Sequence, residues 1–328
     1  MIEGQLSEEN MLLSVVIVSY NTAQITLDCL NALINEINFS PNLANKTEIL
    51  VVDNASHDQS VPAIENLIVK NNLDQSFTLF KSNTNLGFAK ANNYAAKTAR
   101  GKYLLFLNSD TIVKSGSLDQ LLSTFQTQTA QINKLGIIAA RLLNPDGSQQ
   151  HQGGDLPTPL SITCQWLGLD DIPFVGQFFP SLQKKLPKNI NLDKNDALVL
   201  RGWIGGTAMV IERELFQQLG GFDQTIFMYG EDLDLCMRAA RLGWRTAIAT
   251  QAEIIHLGSA SSSQIEAKLG EVNSLKYILT KHYSEGFWKS VYPVILAGCW
   301  LRLQLFTILD RPIQAKTYRR LLDTLITL

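Results

Sequence analysis

Leu13-Ser14-Val15-Val16-Ile17-Val18-Ser19-Tyr20-Asn21 is the stretch whose reading decides the fold. From Leu13 to Tyr20 it is apolar and β-branched, without the polar alternation of a strand that has one wet face. Such a run marks a strand buried on both faces of a parallel sheet. Asn21 and Thr22 can end it and cap a helix over Ala23–Ile37. The same unit recurs downstream. A strand Glu48–Val52 delivers Asp53 and Asn54 at its carboxyl end, and a helix over Ser60–Asn71 and a strand Phe77–Lys81 follow. After a turn at Asn83–Gly87, a helix spans Phe88–Ala99. Gly101 ends it before the strand Tyr103–Leu107, which delivers Asn108-Ser109-Asp110. Strands alternating with helices predict an α/β protein with an open, doubly wound, mostly parallel sheet flanked by helices.

Ligands of such sheets bind at the carboxyl ends of strands, near the point where strand order reverses. Three strand ends carry polar groups here: Tyr20-Asn21, Asp53-Asn54 and Asn108-Ser109-Asp110. The phosphate-binding signatures of dinucleotide oxidoreductases and P-loop nucleotidases are missing, since neither Gly-x-Gly-x-x-Gly nor Gly-x-x-x-x-Gly-Lys-Ser/Thr occurs. A balance of 28 basic and 30 acidic residues argues against nucleic acid as a partner. The four cysteines are far apart and form no Cys-x-x-Cys pair, which suits a reducing cytoplasm. The acidic start, with Glu3, Glu8 and Glu9, does not read as a secretory signal.

The second half carries a different constellation. It holds Trp203-Ile204-Gly205-Gly206, Gly220-Gly221-Phe222-Asp223, Tyr229-Gly230-Glu231-Asp232 and, after a strand-like run Arg245–Ile255, Ile255-His256-Leu257-Gly258-Ser259. Leu233, Cys236, Met237 and Ala240 recur at helical spacing, so Glu231 and Asp232 occupy the first turn of a helix. Acids there complement the positive helix end in any protein, and that placement predicts an ionised Asp232.

Together these motifs resemble family 2 glycosyltransferases. Ser14–Asn21 is similar to the family's first strand. Ile49–Ser56 is similar to its second, whose aspartate contacts the nucleobase. Asn85-Leu86-Gly87-Phe88-Ala89-Lys90-Ala91-Asn92-Asn93 matches its Gly-containing helix start. Leu107-Asn108-Ser109-Asp110 stands where the family has its Asp-x-Asp metal motif. The match covers roughly Ser14–Ser259, and Asn144-Pro145-Asp146-Gly147-Ser148 looks most like rhamnosyltransferase-type members. The resemblance implies a GT-A type, nucleotide-sugar-binding domain and an inverting, metal-dependent transferase. That enzyme would move a sugar, rhamnose in that branch, from a nucleotide diphosphate donor to a hydroxyl of a glycan or lipid-linked glycan.

It further implies Asp232 as catalytic base. Tyr20, Asn21, Asp53, Asn85, Gly87, Asn93, Asn108 and Asp110 would hold the donor, and Trp203, Gly205 and Glu231 the acceptor. Asp110 and His256 would bind a divalent cation, Mn²⁺ or Mg²⁺. Asn108 departs from the pattern, because it replaces the first acid of the metal motif and brings no charge. That departure leaves open a second reading, a nucleotide-sugar-binding protein without transferase activity.

The expected organisation is a lead-in over residues 1–12, a transferase domain over 13–260 and a C-terminal helical extension over 261–328. Within the domain, 13–140 is the nucleotide-sugar half, 141–201 a loop-rich insertion and 202–260 the acceptor and catalytic half. Six prolines make the insertion read as irregular. It either shapes the acceptor site or is a surface insertion without substrate contact. Ser261-Ser262-Ser263 reads as a flap over the diphosphate or as a linker. Trp288, Val291, Ile295, Cys299 and Leu303 follow helical spacing. The uninterrupted apolar run around Val291–Leu301 is too short to span a bilayer and contains Pro293. That segment either packs on the domain or lies on a membrane at the inner face of the cell envelope.

Overall fold

The computed structural model describes residues 11–184, 186, 197–258 and 264–327. The expected lead-in up to residue 10 and the serine run Ser261-Ser262-Ser263 lie outside the described residues.

The first half follows the sequence closely: β1 (Leu13–Ser19), α1 (Ala23–Phe39), β2 (Thr47–Asp53), α2 (Ser60–Lys70), β3 (Phe77–Lys81), α3 (Gly87–Ala96) and β4 (Tyr103–Leu107). β5 (Thr111–Val113), α4 (Ser117–Thr129), β6 (Leu135–Leu143) and β7 (Gly153–Gly154) come next. α5 (Pro159–Leu167), a 3-10 turn at Gly176–Phe178, β8 (Leu198–Arg201) and β9 (Trp203–Ile204) follow. The last part holds β10 (Ala208–Glu212), α6 (Arg213–Gln218), α7 (Glu231–Arg241), β11 (Arg245–His256), α8 (Gln264–His282), α9 (Glu285–Ile308) and α10 (Pro312–Thr327).

Strand order in the main sheet is β3-β2-β1-β4-β10-β6-β11-β5, with β8 paired to β11. β1, β2, β3 and β4 run parallel. β10 is antiparallel to both its neighbours β4 and β6, and β6 is parallel to β11. β5 and β8 oppose β11, so six of nine strands point one way. The chain leaves β1 toward β2 on one side and returns to β4 on the other. The reversal point therefore lies between the carboxyl ends of β1 and β4.

Both faces of β1 are covered, as its composition requires. Leu13, Val15 and Ile17 pack with Cys29, Leu30 and Leu33 of α1 and with Leu121 and Phe125 of α4. Val16 faces the opposite layer, with Ala89 and Ala95 of α3, Phe216 of α6 and Leu235 of α7. A third core joins Ile162 and Trp166 of α5 to Val272, Leu275 and Leu279 of α8, and to Val291, Ile295 and Cys299 of α9.

Two expectations change. α1 is not capped by Asn21 or Thr22; the free N–H of Ala23 goes to Asp58 Oδ2 at 3.0 Å instead. The insertion is not merely loops, because it contains α5, opened by a capping box between Thr158 and Ser161 with Pro159 in the first turn. Proline there forfeits no helical hydrogen bond. The packed-extension reading of the C-terminal segment also holds for its inner face, which closes the third core.

Candidate active site

A cavity of about 530 Å³ opens at the reversal point. Tyr20 from the end of β1, Asn54 from β2, Asn85 and Gly87 from the turn into α3, and Asn108, Ser109 and Asp110 from β4 all line it. Trp203, Gly206, Glu231, Asp232 and His256 reach the same cavity from the second half. The two constellations read from the sequence therefore meet in one place.

Their roles differ. Asp53 is buried, with Oδ2 accepting from the Ser56 N–H at 3.1 Å, while Oδ1 has no hydrogen-bond partner. Asp53 and Asn21, both expected to hold the donor, are not among the residues lining the cavity, and the open Oδ1 of Asp53 lies buried behind its wall. Asn21 has a left-handed backbone, φ 53. Its Oδ1 accepts from the His57 N–H at 2.7 Å, and its own N–H goes to Ser56 at 2.9 Å. It braces the two strand-end loops against each other. Asn85 Oδ1 accepts from Asn54 Nδ2 and from the Gly87 N–H, both at 2.9 Å. Gly87 sits at φ +75, and a Cβ there would collide with the Phe227 carbonyl.

Asn93 is not in the cavity. Its Nδ2 donates to the Phe222 carbonyl at 2.7 Å, and its Oδ1 accepts from the Phe222 N–H at 2.9 Å. That pair pins the Gly220-Gly221-Phe222-Asp223 turn onto α3. Gly221 is required by its φ of +74 and by Asn93 Oδ1, which would lie 2.7 Å from a Cβ. Asn93 is thus a brace for the acceptor half where donor contact was expected. Gly205 gives its N–H to the Gln152 carbonyl at 2.9 Å, leaving its neighbour Gly206 on the cavity wall. Trp203 donates its indole N–H to the Leu182 carbonyl at 2.8 Å, so it offers the cavity a ring and not a donor.

His256 and Asp110 meet across the cavity floor, with His256 Nε2 3.3 Å from Asp110 Oδ1. Gln150, which the sequence did not single out, sets the state of the imidazole. Its Nε2 donates to the His256 carbonyl and to Asn144 Oδ1, both at 2.7 Å. Its Oε1 must therefore face His256 Nδ1, at 2.8 Å, and Nδ1 carries the proton. Nε2 is then the ring nitrogen turned toward the Asp110 carboxylate, so the two can pair directly or hold a cation as one nitrogen and one oxygen ligand. Asn108 Oδ1, buried and without a partner, adds a neutral oxygen nearby in sequence and on the same cavity. No group of three His, Cys, Asp or Glu side chains that could hold a metal lies among the described residues. An ion here would thus draw its remaining ligands from substrate oxygens and water.

α7 starts directly after Tyr229 (φ 69) and Gly230 (φ 110), which turn the chain so that the first helical residues face inward. Asp232 Oδ2 accepts from the Gly206 N–H at 3.0 Å, and Oδ1 from the Leu233 N–H at 2.7 Å. Burial nevertheless pushes its pKa upward, and Glu271 adds to the rise. The helix-start argument for a depressed pKa is overturned here: desolvation exceeds the stabilisation from the backbone N–H groups. Glu231 is 5% exposed, with Oε2 unpartnered, and burial together with the Asp232 charge pushes it up to about 8. Asp232 has the N–H donors that favour its ionised form over that of Glu231, whose Oε2 has no partner.

The far wall comes from α8 and the insertion. Lys268, Glu271, Val272, Leu275 and Ile278 of α8 face Gln165, Trp166 and Leu182. α8 is held to α7 by Asp234, which is buried and contacts Lys281 Nζ at 2.6 Å, His282 Nε2 at 2.7 Å and Arg238 Nε at 2.8 Å. The segment expected as an extension is therefore part of the site.

Residues 14–184 match glycosyl transferase family 2, and residues 192–293 match glycosyl transferase family group 2. The chain is 25% identical over 259 residues to the N-acetylglucosaminyl-diphospho-decaprenol L-rhamnosyltransferase of Mycobacterium tuberculosis, covering 76% of this chain and 80% of that protein. It is 28% identical over 178 residues to the rhamnosyltransferase WbbL of Escherichia coli, covering 52% of this chain and 60% of that one. It is 28% identical over 242 residues to the O-antigen biosynthesis protein RfbC of Myxococcus xanthus, covering 71% of this chain but only 16% of that protein. In fold it resembles a mannosyltransferase from Pyrobaculum calidifontis in complex with GDP-Man and Mn²⁺, with TM-score 0.54 and 16% identity, over 96% of this chain and 75% of that one. Sheet order, cavity and family match agree, and we conclude that the chain belongs to glycosyl transferase family 2 and is a glycosyltransferase with the GT-A fold.

Proposed function

We propose that the protein is an inverting, cation-dependent transferase that moves a sugar from a nucleotide diphosphate donor to a hydroxyl acceptor. The observation that carries this reading is the sharing of one cavity by Asp232 and by the Asp110–His256 pair. The cation, Mn²⁺ or Mg²⁺, would be held by Asp110, His256 and donor oxygens, and when bound it offsets the charge of the leaving diphosphate. Asn108, Asn54 and Asn85 would orient the nucleoside. The acceptor O–H attacks the anomeric carbon from the face opposite the diphosphate. As the new C–O bond forms, the bond to the diphosphate oxygen breaks and Asp232 takes the hydroxyl proton. Protonated Glu231 donates a hydrogen bond to an acceptor oxygen, and the Trp203 ring supports the acceptor.

The names of the relatives support rhamnose as the sugar and a glycan or lipid-linked glycan as the acceptor. The four buried thiols, Cys29, Cys164, Cys236 and Cys299, support a reducing, cytoplasmic setting. A thermal-shift screen of nucleotide diphosphate sugars, with and without Mn²⁺, tests the reading. A matching donor at about 100 times its Kd stabilises by about 2.7 kcal/mol. A shift that needs Mn²⁺ and is confined to one nucleotide supports the proposal. A screen in which no nucleotide sugar shifts the melting temperature contradicts it.

A further inference from the structure

Among the described residues, exposed large apolar side chains occur on several elements, Phe39 at 82% and Val69 at 71% among them, and one group gathers at the C-terminal helices and α5. Phe174 is 91% exposed, Phe178 80%, Ile308 80% and Ile313 68%, with Leu160, Val175, Leu301, Leu305 and Leu309 also exposed. These nine belong to α5 and the loop after it, or to α9, α10 and the turn between them. We infer that this shared face docks on an anionic lipid bilayer.

The two segments are neighbours. Arg302 of α9 donates to the Trp166 and Gln165 carbonyls in the last turn of α5. The loop that follows is folded back on itself: Ser181 Oγ bonds Asp170, and the Gly176 N–H bonds the Ile172 carbonyl at 2.7 Å. Phe174, in a left-handed backbone with φ 65, projects outward from that loop. On α9, Leu301, Leu305 and Ile308 are spaced four and three residues apart, so they form one outward stripe.

The apolar run was expected to be too short for a bilayer span, yet α9 is 24 residues long and holds an 18-residue stretch of mean hydropathy 1.5, long and apolar enough to cross a membrane by length and composition. Its inner stripe argues against crossing. Trp288, Val291, Ile295, Cys299 and Leu303 are buried in the third core, and lifting α9 out would expose them and break both Arg302 bonds. A helix with one face in a protein core and the other bare and apolar lies along a membrane surface, not through it.

Charge selects the partner. The α9–α10 corner holds a hollow of about 320 Å³ lined by Arg311, Lys316 and Arg319, with Asp310 the acid among its lining residues. Arg320 follows directly. The corner is thus positive on a chain whose formal net charge is −2. Basic side chains beside an apolar stripe match anionic headgroups above acyl chains. The face is distinct from the cavity, and its test reads lipid binding and not transfer.

Flotation of the full chain with vesicles of equal parts phosphatidylglycerol and phosphatidylcholine, against phosphatidylcholine alone, tests the assignment. Binding should favour the anionic vesicles. Lys316→Glu with Arg319→Glu should weaken it at least about tenfold, each basic side chain at a surface being worth about fivefold. Phe174→Ser with Phe178→Ser should lower binding to both vesicles, and melting temperatures should hold because both rings are exposed. Equal binding by wild type and variants, or no binding by wild type, would overturn the inference. So would a dimer in light scattering that Phe174→Ser with Phe178→Ser dissolves, which would give this face to a second copy of the chain.

Discussion

His256 and Glu231 each depend on a neighbour that fixes their proton. Gln150 holds the tautomer of His256, so Gln150→Leu should lower Mn²⁺ affinity by about 10–100-fold without removing a ligand. Calorimetric titration of a nucleoside diphosphate with Mn²⁺ measures that loss, and unchanged affinity would show that Nδ1 needs no fixing. Glu231 is protonated below about pH 8, so Glu231→Gln imitates it there. Above that pH the wild type acquires a second charge beside Asp232 and should lose activity, whereas Glu231→Gln should keep it. On the acid side, activity needs ionised Asp232. Its raised pKa places that limb above the ordinary carboxylate range in both proteins. A pH–rate profile checks both limbs. None of this protonation was legible in the sequence. Glu231 and Asp232 could be placed on a helix start from local spacing. The burial and Glu271 that reverse the pKa of Asp232 arise only when distant segments close over them.

Among the elements, those with a strong local period were legible: β1, β2, β4 and the start of α7. α5 was hidden by its prolines, although Pro159 sits where a helix tolerates it and Thr158 with Ser161 forms the cap. The cap of α1 came from Asp58, 35 residues away from Ala23, which no local pattern reveals. The α7–α8 latch was equally invisible, since Asp234, Lys281 and His282 meet only in the fold. Asp234→Asn should destabilise the protein by about 3–5 kcal/mol, as it leaves Lys281 and Arg238 around an uncharged group. The pKa of Asp234 is held low by His282 and Lys281 against its burial. Its contribution is therefore full above the ordinary carboxylate pKa and lost as pH falls through the depressed one. Thermal melts of both proteins should begin to converge below about pH 4 and coincide only once pH is below the depressed pKa of Asp234. A gap that persists there would mean that the loss is one of packing.

For the whole molecule, the sheet brings the nucleotide half and the acceptor half to one reversal point, and α8 with α5 closes the cavity from outside the sheet. The central claim is that Asp232 takes the acceptor proton during direct displacement. Single-turnover transfer by wild type and Asp232→Asn, with the product's anomeric proton read by nuclear magnetic resonance, tests it most directly. Asparagine keeps the size and one of the two backbone contacts, to the Gly206 or the Leu233 N–H, but is no base. The account predicts near-normal donor binding, transfer at least about a hundredfold slower, and an inverted anomeric centre in the wild-type product. A retained configuration, or an Asp232→Asn enzyme that transfers at the wild-type rate, would contradict it.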